Sequence, residues 1–269
     1  MIVDLSALDV AHAAMQRDPA DDARRLQFYA VLADSPLFLM LEGEPEGESV
    51  TPAVFNVAGV DYILVFDAED RLAQFAGGAV PYASLAGRGL VEMIAGQGIG
   101  LGLNLDVAPS AMMLGPDAVD WLAATLGEAP AEATARPRAI HAPQAIPQAL
   151  RDALAARLSH AGMLAASASL VAVEYDDGSR GHMLAFVDAD PAAAPQLAAA
   201  VREALVFSGI EAGAVDVAFV RQPDDAAFIA HLAKGSGIPL GRPDVSRSAP
   251  AKSKTAGPGM NPDRPPILR

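Results

Sequence analysis

The residues most suggestive of chemistry lie between Gly96 and Asn104. Gly96, Gly98, Gly100 and Gly102 alternate there with Gln97, Ile99, Leu101 and Leu103. Glycine-rich runs bind phosphate when their amides face a ligand at the start of a helix. A dinucleotide loop needs G-x-G-x-x-G between a strand and a helix. Here Leu103 breaks the spacing, a helix precedes, and the segment itself reads as a strand. A Walker loop needs Gly-Lys-Ser/Thr, and the lysines of this chain are Lys234, Lys252 and Lys254. Both phosphate readings fail. A two-residue period puts Ile99, Leu101, Leu103 and Leu105 on one face and Gly98, Gly100, Gly102 and Asn104 on the other. A bare glycine face admits a helix, a backbone or a ligand at close range. Helix packing is its simplest use, a partner surface the next, and a small-molecule site the third. Asn104 is the one polar side chain on that face.

Other candidate chemistry is sparse. Asp67, Glu69 and Asp70 cluster where a strand passes into a helix, and so do Asp188 and Asp190. Such carboxylates bind Mg²⁺ or Ca²⁺ in some settings, but neither group has EF-hand spacing, and helix capping explains them more simply. His12, His141, His160, His182 and His231 are too far apart in sequence for a zinc-protease helix. No Gly-x-Ser-x-Gly occurs, which removes the nucleophile elbow. The chain has no cysteine, which removes disulfides, thiolate metal sites and a cysteine nucleophile. No cofactor, metal or catalytic residue is therefore assigned. Glu42, Glu44, Glu46 and Glu48 form an acidic loop, solvated or facing a basic partner. Trp121, on an amphipathic helix behind Asp117 and Asp120, covers a core or serves as a contact hot spot.

The elements that position these residues follow from periodicity and punctuation. Helical spacing of Leu5, Leu8, His12 and Met15 ends at Asp18-Pro19, and Leu26, Tyr29, Ala30 and Ala33 mark a second helix. Strands are expected at 36–41, 53–57, 62–66, 99–105 and 111–114. Helices are expected from Asp67 to Gly77, from Ser84 to Ala95, and from Gly115 to Leu126. Beyond a stretch punctuated by Pro130, Pro137, Pro143 and Pro147, Leu150, Leu154, Leu158 and Leu164 mark another helix. Strands at 169–175 and 182–187 flank Asp176-Asp177-Gly178, a strong hairpin signal. A helix through Leu197, Val201 and Leu205, a strand at 215–219 and a helix from Asp224 to Ala233 complete the pattern.

The expected fold is α+β: two related domains, each a small, mostly antiparallel sheet covered by helices, like an α/β sandwich. The first spans 1–128, a Pro/Ala-rich linker 129–146, the second 147–234, and a disordered basic tail 235–269. Charge divides at the same places. Residues 1–128 hold 19 acids and 5 bases, residues 129–234 hold 12 and 8, and residues 235–269 hold 2 and 6. The halves share an order of helices and strands, and Tyr62 to Asp67 parallels His182 to Asp188, so a diverged tandem repeat is expected.

The run Leu39-Met-Leu-Glu42, the strand Tyr62 to Asp67, the segment Gly96 to Asn104 and the stretch Pro109-Ser-Ala-Met-Met-Leu114 resemble the SseB N-terminal-domain family, named for enhanced serine sensitivity. The resemblance covers roughly residues 20–126. That family's domain typically ends in a Gly-rich strand leading to Asn and then a helix. Where the family often has Asn-Pro, this chain has Asn104-Leu105-Asp106, with proline at 109. The second half is similar in layout to the companion C-terminal domain. The resemblance implies a fold and no reaction.

Net acidity of −14 opposes binding of nucleic acid or an anionic membrane. The apolar runs, such as Leu37 to Leu41, are strand-sized, so no transmembrane helix is expected. The acids near Met1 do not suit a secretory signal, and a cytoplasmic location is expected. The function expected is that of a non-catalytic interaction or regulatory protein that docks to a protein partner. The alternative is a ligand-binding protein or enzyme with its site in a cleft between the halves. The contact regions expected are Gly98, Gly100, Gly102, Asn104, Glu42, Glu44, Glu46, Glu48 and Trp121.

Overall fold

The computed structural model describes residues 5–44, 50–127, 137–143, 146–209 and 215–241. In the first half, helix α1 (Ala7–Arg17) starts at a capping box. The Ser6 hydroxyl accepts from the Asp9 amide, and the Asp9 carboxylate accepts from the Ser6 amide. Asp21 caps α2 (Asp22–Asp34). Strands β1 (Pro36–Met40), β2 (Val54–Val57) and β3 (Val60–Phe66) lead to α3 (Glu69–Ala76), which ends at Gly77 in the left-handed conformation. Then follow β4 (Tyr82–Ala86), α4 (Gly87–Ile94), β5 (Ile99–Leu103), β6 (Met112–Leu114) and α5 (Pro116–Gly127).

The strands form one sheet in the order β4-β1-β3-β5-β6, with β2 alongside the start of β3 on the β1 side. Only the β3–β5 pair is parallel. Leu37, Leu39, Ile63, Val65, Leu101 and Leu103 point to one face and meet Leu8, Phe28, Leu32, Leu90, Val91, Val119 and Leu122 from four helices. Leu64 and Phe66 point to the other face, under Leu72 of α3. The residues past Gly77 had read as loop and then helix from Ser84. They form β4 instead, because pairing with β1 along Pro36–Met40 overrides the weak strand propensity of Tyr-Ala-Ser-Leu-Ala.

The second half begins earlier and ends later than its sequence suggests. Strand β7 (Pro137–His141) lies in the stretch expected as linker. Helix α6 (Gln148–Arg157) gives way to a 3-10 turn at Ala161–Met163, so it is shorter than the leucine spacing implies. The hairpin of β8 (Ser167–Tyr175) and β9 (Arg180–Val187) turns at Gly178, φ +82°. Helix α7 (Ala194–Ser208), β10 (Val215–Val220), α8 (Ala226–Leu232) and β11 (Ser236–Ile238) follow. The order is β10-β9-β8-β11, with β7 also on β8 and only β9–β10 parallel. Strand β11 falls inside the expected tail. Ile238 is buried, and the Gly241 carbonyl accepts from the Gly162 amide, so residues 235–241 belong to the folded unit. The rest of the expected tail, 242–269, and most of the expected linker lie outside the described residues. Helices α6 and α7 cover one face of the sheet, and α8 covers the other.

The halves share a hairpin with a parallel neighbour, and β3 and β9 both end at an aspartate, Asp67 and Asp188. Their chain paths differ. After β3 the chain visits the far edge beside β1 before returning as β5, whereas after β9 it lays down the parallel β10 first and the far-edge β11 last. The similarity is one of layout; the order in which the parallel and the far-edge strand are laid down is exchanged.

Candidate interaction surface

The glycine face of β5 is filled from within the sheet. Gly100 pairs with Tyr62 and Gly102 with Leu64 in register. A Cβ at 102 would lie 2.6 Å from Leu64 Cδ2 and 3.0 Å from Leu105 Cδ1. Cross-strand side chains thus take the space that sequence reading gave first to a helix. Gly100, Gly102 and Asn104 are buried, and of the proposed glycine contacts only Gly98 is exposed. Leu105 also departs from expectation. Asn104 has φ +49° and Asp106 +58°, which breaks the pleat and swings Leu105 onto the glycine face.

Asn104 instead organises a buried polar cluster beyond the ends of the parallel strands. Its Oδ1 accepts from the Asp67 amide at 3.0 Å, and its Nδ2 donates to Ser110 Oγ at 2.8 Å. The Ser110 hydroxyl and amide donate to Asp9 Oδ1 at 2.6 and 3.2 Å. Arg71 pairs with both Asp9 and Asp67. Burial alone would raise the Asp9 carboxyl, but hydrogen bonds from Arg71, Ser110 and Ser6 outweigh it and hold it at about 2. Asp67 was read as a helix cap. Helix α3 has Ala68 at its N-cap and no side-chain cap, and Asp67 accepts from Arg71 one turn later. Asp190 does cap its 3-10 turn, while Asp188 accepts from the Gln222 amide and ties β9 to the end of β10. No group of three or more His, Asp or Glu among the described residues is placed to hold a metal.

Exposed candidates lie elsewhere. Glu42 and Glu44 are exposed at the end of β1; Glu46 and Glu48 lie outside the described residues. Trp121 is 41% exposed and packs one side on Tyr29, with ring centroids 5.3 Å apart. Sequence reading missed the feature next to the acidic loop. Strand β2 is exposed at all its positions, with Val54 at 46%, Phe55 at 39% and Val57 at 45%. Its ladder partner is β3, and no second strand pairs with it among the described residues. Ala58 and Gly59, φ +53° and +88°, close a two-residue turn. In such a hairpin Val57 and Val60 form the hydrogen-bonded pair next to the turn, so the amides of Val54 and Asn56 point away from β3. The signal in the sequence was Val-Phe-Asn-Val, apolar on both faces of a short strand.

The alternative reading puts a ligand in a cleft between the halves. The halves meet through packed helices, α2 on α7. Phe207 of α7 is buried in the core of the first half. Arg88, Asp34, Arg157 and Glu203 join across the contact, with Arg157 paired to both carboxylates. Arg202 donates to the Thr125 carbonyl at 2.7 Å. Two recesses lie in the second half, one beside Asp188 and Arg221, another beside His141, Glu174 and His182.

The first half is an α+β domain in which four helices cover one face of a mixed sheet and a fifth covers the other. Residues 8–121 match the family model described as SseB protein N-terminal domain. The match stops within α5 and leaves the second sheet outside it. No curated protein and no solved structure matches the chain. No helix among the described residues is long and apolar enough to cross a membrane.

Proposed function

We infer that this protein works by docking, without catalysis of its own, and that its first half, matched by the SseB N-terminal domain model, carries the contact. The observation that supports this reading is the exposed apolar strand β2, open along one side. An edge of this kind offers backbone hydrogen bonds to another chain, and proteins that do not use one usually blunt it with lysine, proline or a covering segment. Strand β2 reads Val, Phe, Asn and Val, without lysine or proline, and no strand covers its open side among the described residues. The remaining edge strands are less open, β10 for example being buried or half-buried at all but Phe219.

Capture from native lysate tests the reading, with the wild type, Val54→Pro and Trp121→Ser compared at low and high salt. A stoichiometric partner lost with Val54→Pro and kept with Trp121→Ser is the expected result. The rival reading, a ligand-binding protein or enzyme, gains if capture is identical for all three chains and a metal or nucleotide raises the melting temperature saturably.

A further inference from the structure

We propose that the occupant of β2 is an extended, basic segment of a partner protein, added as a further strand with cationic and apolar side chains in alternation. This rests on the docking reading and names the chemistry of what docks.

The second half supplies the template. The outer edge of β8 is paired in two stretches: β11 pairs Ala168 to Leu170, and β7 pairs Ala172 to Tyr175. In the first half, β1 and β2 together line the matching side of β3. Their outer edge is paired by β4 along Pro36–Met40, and among the described residues β2 has no strand in the place that β7 takes in the second half. The covering strand β7 reads Pro-Arg-Ala-Ile-His. Its Ile140 is buried against the sheet, and Arg138 lies 3.9 Å from Glu174.

Charge selects the sign of the partner. Glu42 and Glu44 are exposed on the chain that leads to β2, and Asp61 is exposed on β3 opposite Asn56. The bases of the first half are Arg17, Arg24, Arg25, Arg71 and Arg88, all on helices α1 to α4. The border of β2 is therefore acidic and holds no base of its own half. Pairing β2 with β2 of a second copy would bring two acidic borders together, which costs affinity. The chain's own basic segment, 242–269, is interrupted by Pro243, Pro250, Pro258, Pro262, Pro265 and Pro266, and its longest proline-free run, 251–257, has alanine as its only apolar residue. Proline removes the donors that a ladder needs, and such a run has little to set against Val54, Phe55 and Val57.

The probe is the synthetic peptide Arg-Ile-Arg-Ile-Arg-Ile-Arg, titrated against the full chain by fluorescence anisotropy. Three companions are titrated beside it: the same peptide with alternate amides N-methylated, a Glu-for-Arg version, and a shuffled Arg/Ile version. Binding should weaken by at least about tenfold on N-methylation and with Val54→Pro. Val54→Lys keeps the backbone donor and serves if the proline variant fails to fold; it should weaken the Arg peptide and not the Glu peptide. Equal binding of the plain, methylated and shuffled peptides would overturn the proposal, since attraction of charge alone would then explain it. Tight binding of the Glu peptide alone, lost with Val54→Pro, would leave docking at β2 standing and overturn the basic partner. Failure of every peptide together with unchanged capture by Val54→Pro would remove both. A dimer in sedimentation that Val54→Pro abolishes would name a second copy as the occupant, and a gain of about tenfold in peptide affinity on deleting 242–269 would name the chain's own tail; either overturns the proposal.

Discussion

Gly100 and Tyr62 face each other in register across the parallel β5–β3 pair, and the Tyr62 ring fills the volume that a side chain at 100 would need. A Cβ there would lie within 2.5 Å of Tyr62 Cδ1 and 2.7 Å from the Leu114 carbonyl oxygen. The glycines serve the packing of the sheet.

Gly100→Ala is therefore expected to destabilise the chain by about 1–3 kcal/mol, the range for overpacking a filled site. Adding Tyr62→Ala should recover part of that loss and no more, because the Leu114 carbonyl is backbone and stays in place. Urea denaturation of the single and double variants checks both statements. Equal stability of Gly100→Ala and wild type would show that the ring moves aside freely.

Asp9 ties α1 to α3 and to Ser110 ahead of β6. Its carboxyl sits at about 2, below the ordinary 3.8, so the folded state holds the proton less tightly than the unfolded state. The stabilisation is fully present above the unfolded value and is lost as pH falls through the folded one. Stability should drop by about 2 kcal/mol between roughly pH 5 and pH 2 from this group. Asp9→Asn should remove that part of the acid dependence. Asp9→Ala should cost about 3–5 kcal/mol at neutral pH, because it strips a partner from the largely buried Arg71. Chemical denaturation across pH measures each.

Phe207 belongs by sequence to the second half and by packing to the first. Phe207→Ala is expected to cost about 3–5 kcal/mol, as for other buried aromatics. The wild type should melt in one calorimetric transition and Phe207→Ala in two, since this ring is part of what couples the halves. Gly209 adds to that contact: with φ +63° and a Cβ position 2.8 Å from Ala23, it has no room for a side chain. Gly209→Ala should also weaken the coupling. A single transition in both variants would count against it.

The long, periodic elements were legible in the sequence. The helix of Phe28 and Leu32, the strand ending at Phe66 and the hairpin at Gly178 stand where apolar period and turn chemistry place them. The short pairing strands were not. Tyr82–Ala86, Pro137–His141 and Ser236–Ile238 have weak propensities or proline, and they are strands because a neighbour supplies the ladder. For the same reason β7 falls in the stretch expected as linker and β11 in the stretch expected as tail. The acidic loop and Trp121 were visible as residue types. The open side of Val54–Val57 was not, because whether a strand has one neighbour or two depends on residues far away in the chain. The burial of Asn104 was hidden in the same way, since its partners Asp67 and Ser110 come from different loops.

The amides of Val54 and Asn56 provide the most direct test of docking at β2. They point away from β3, while those of Phe55 and Val57 bond within the hairpin. Residue-resolved amide hydrogen exchange, measured with and without the Arg-Ile strand peptide, should show new protection at Val54 and Asn56 and little change at Phe55 and Val57. That alternation is the mark of an added strand. Unchanged exchange at Val54 and Asn56 under saturating peptide, with protection arising elsewhere, would contradict docking at this edge.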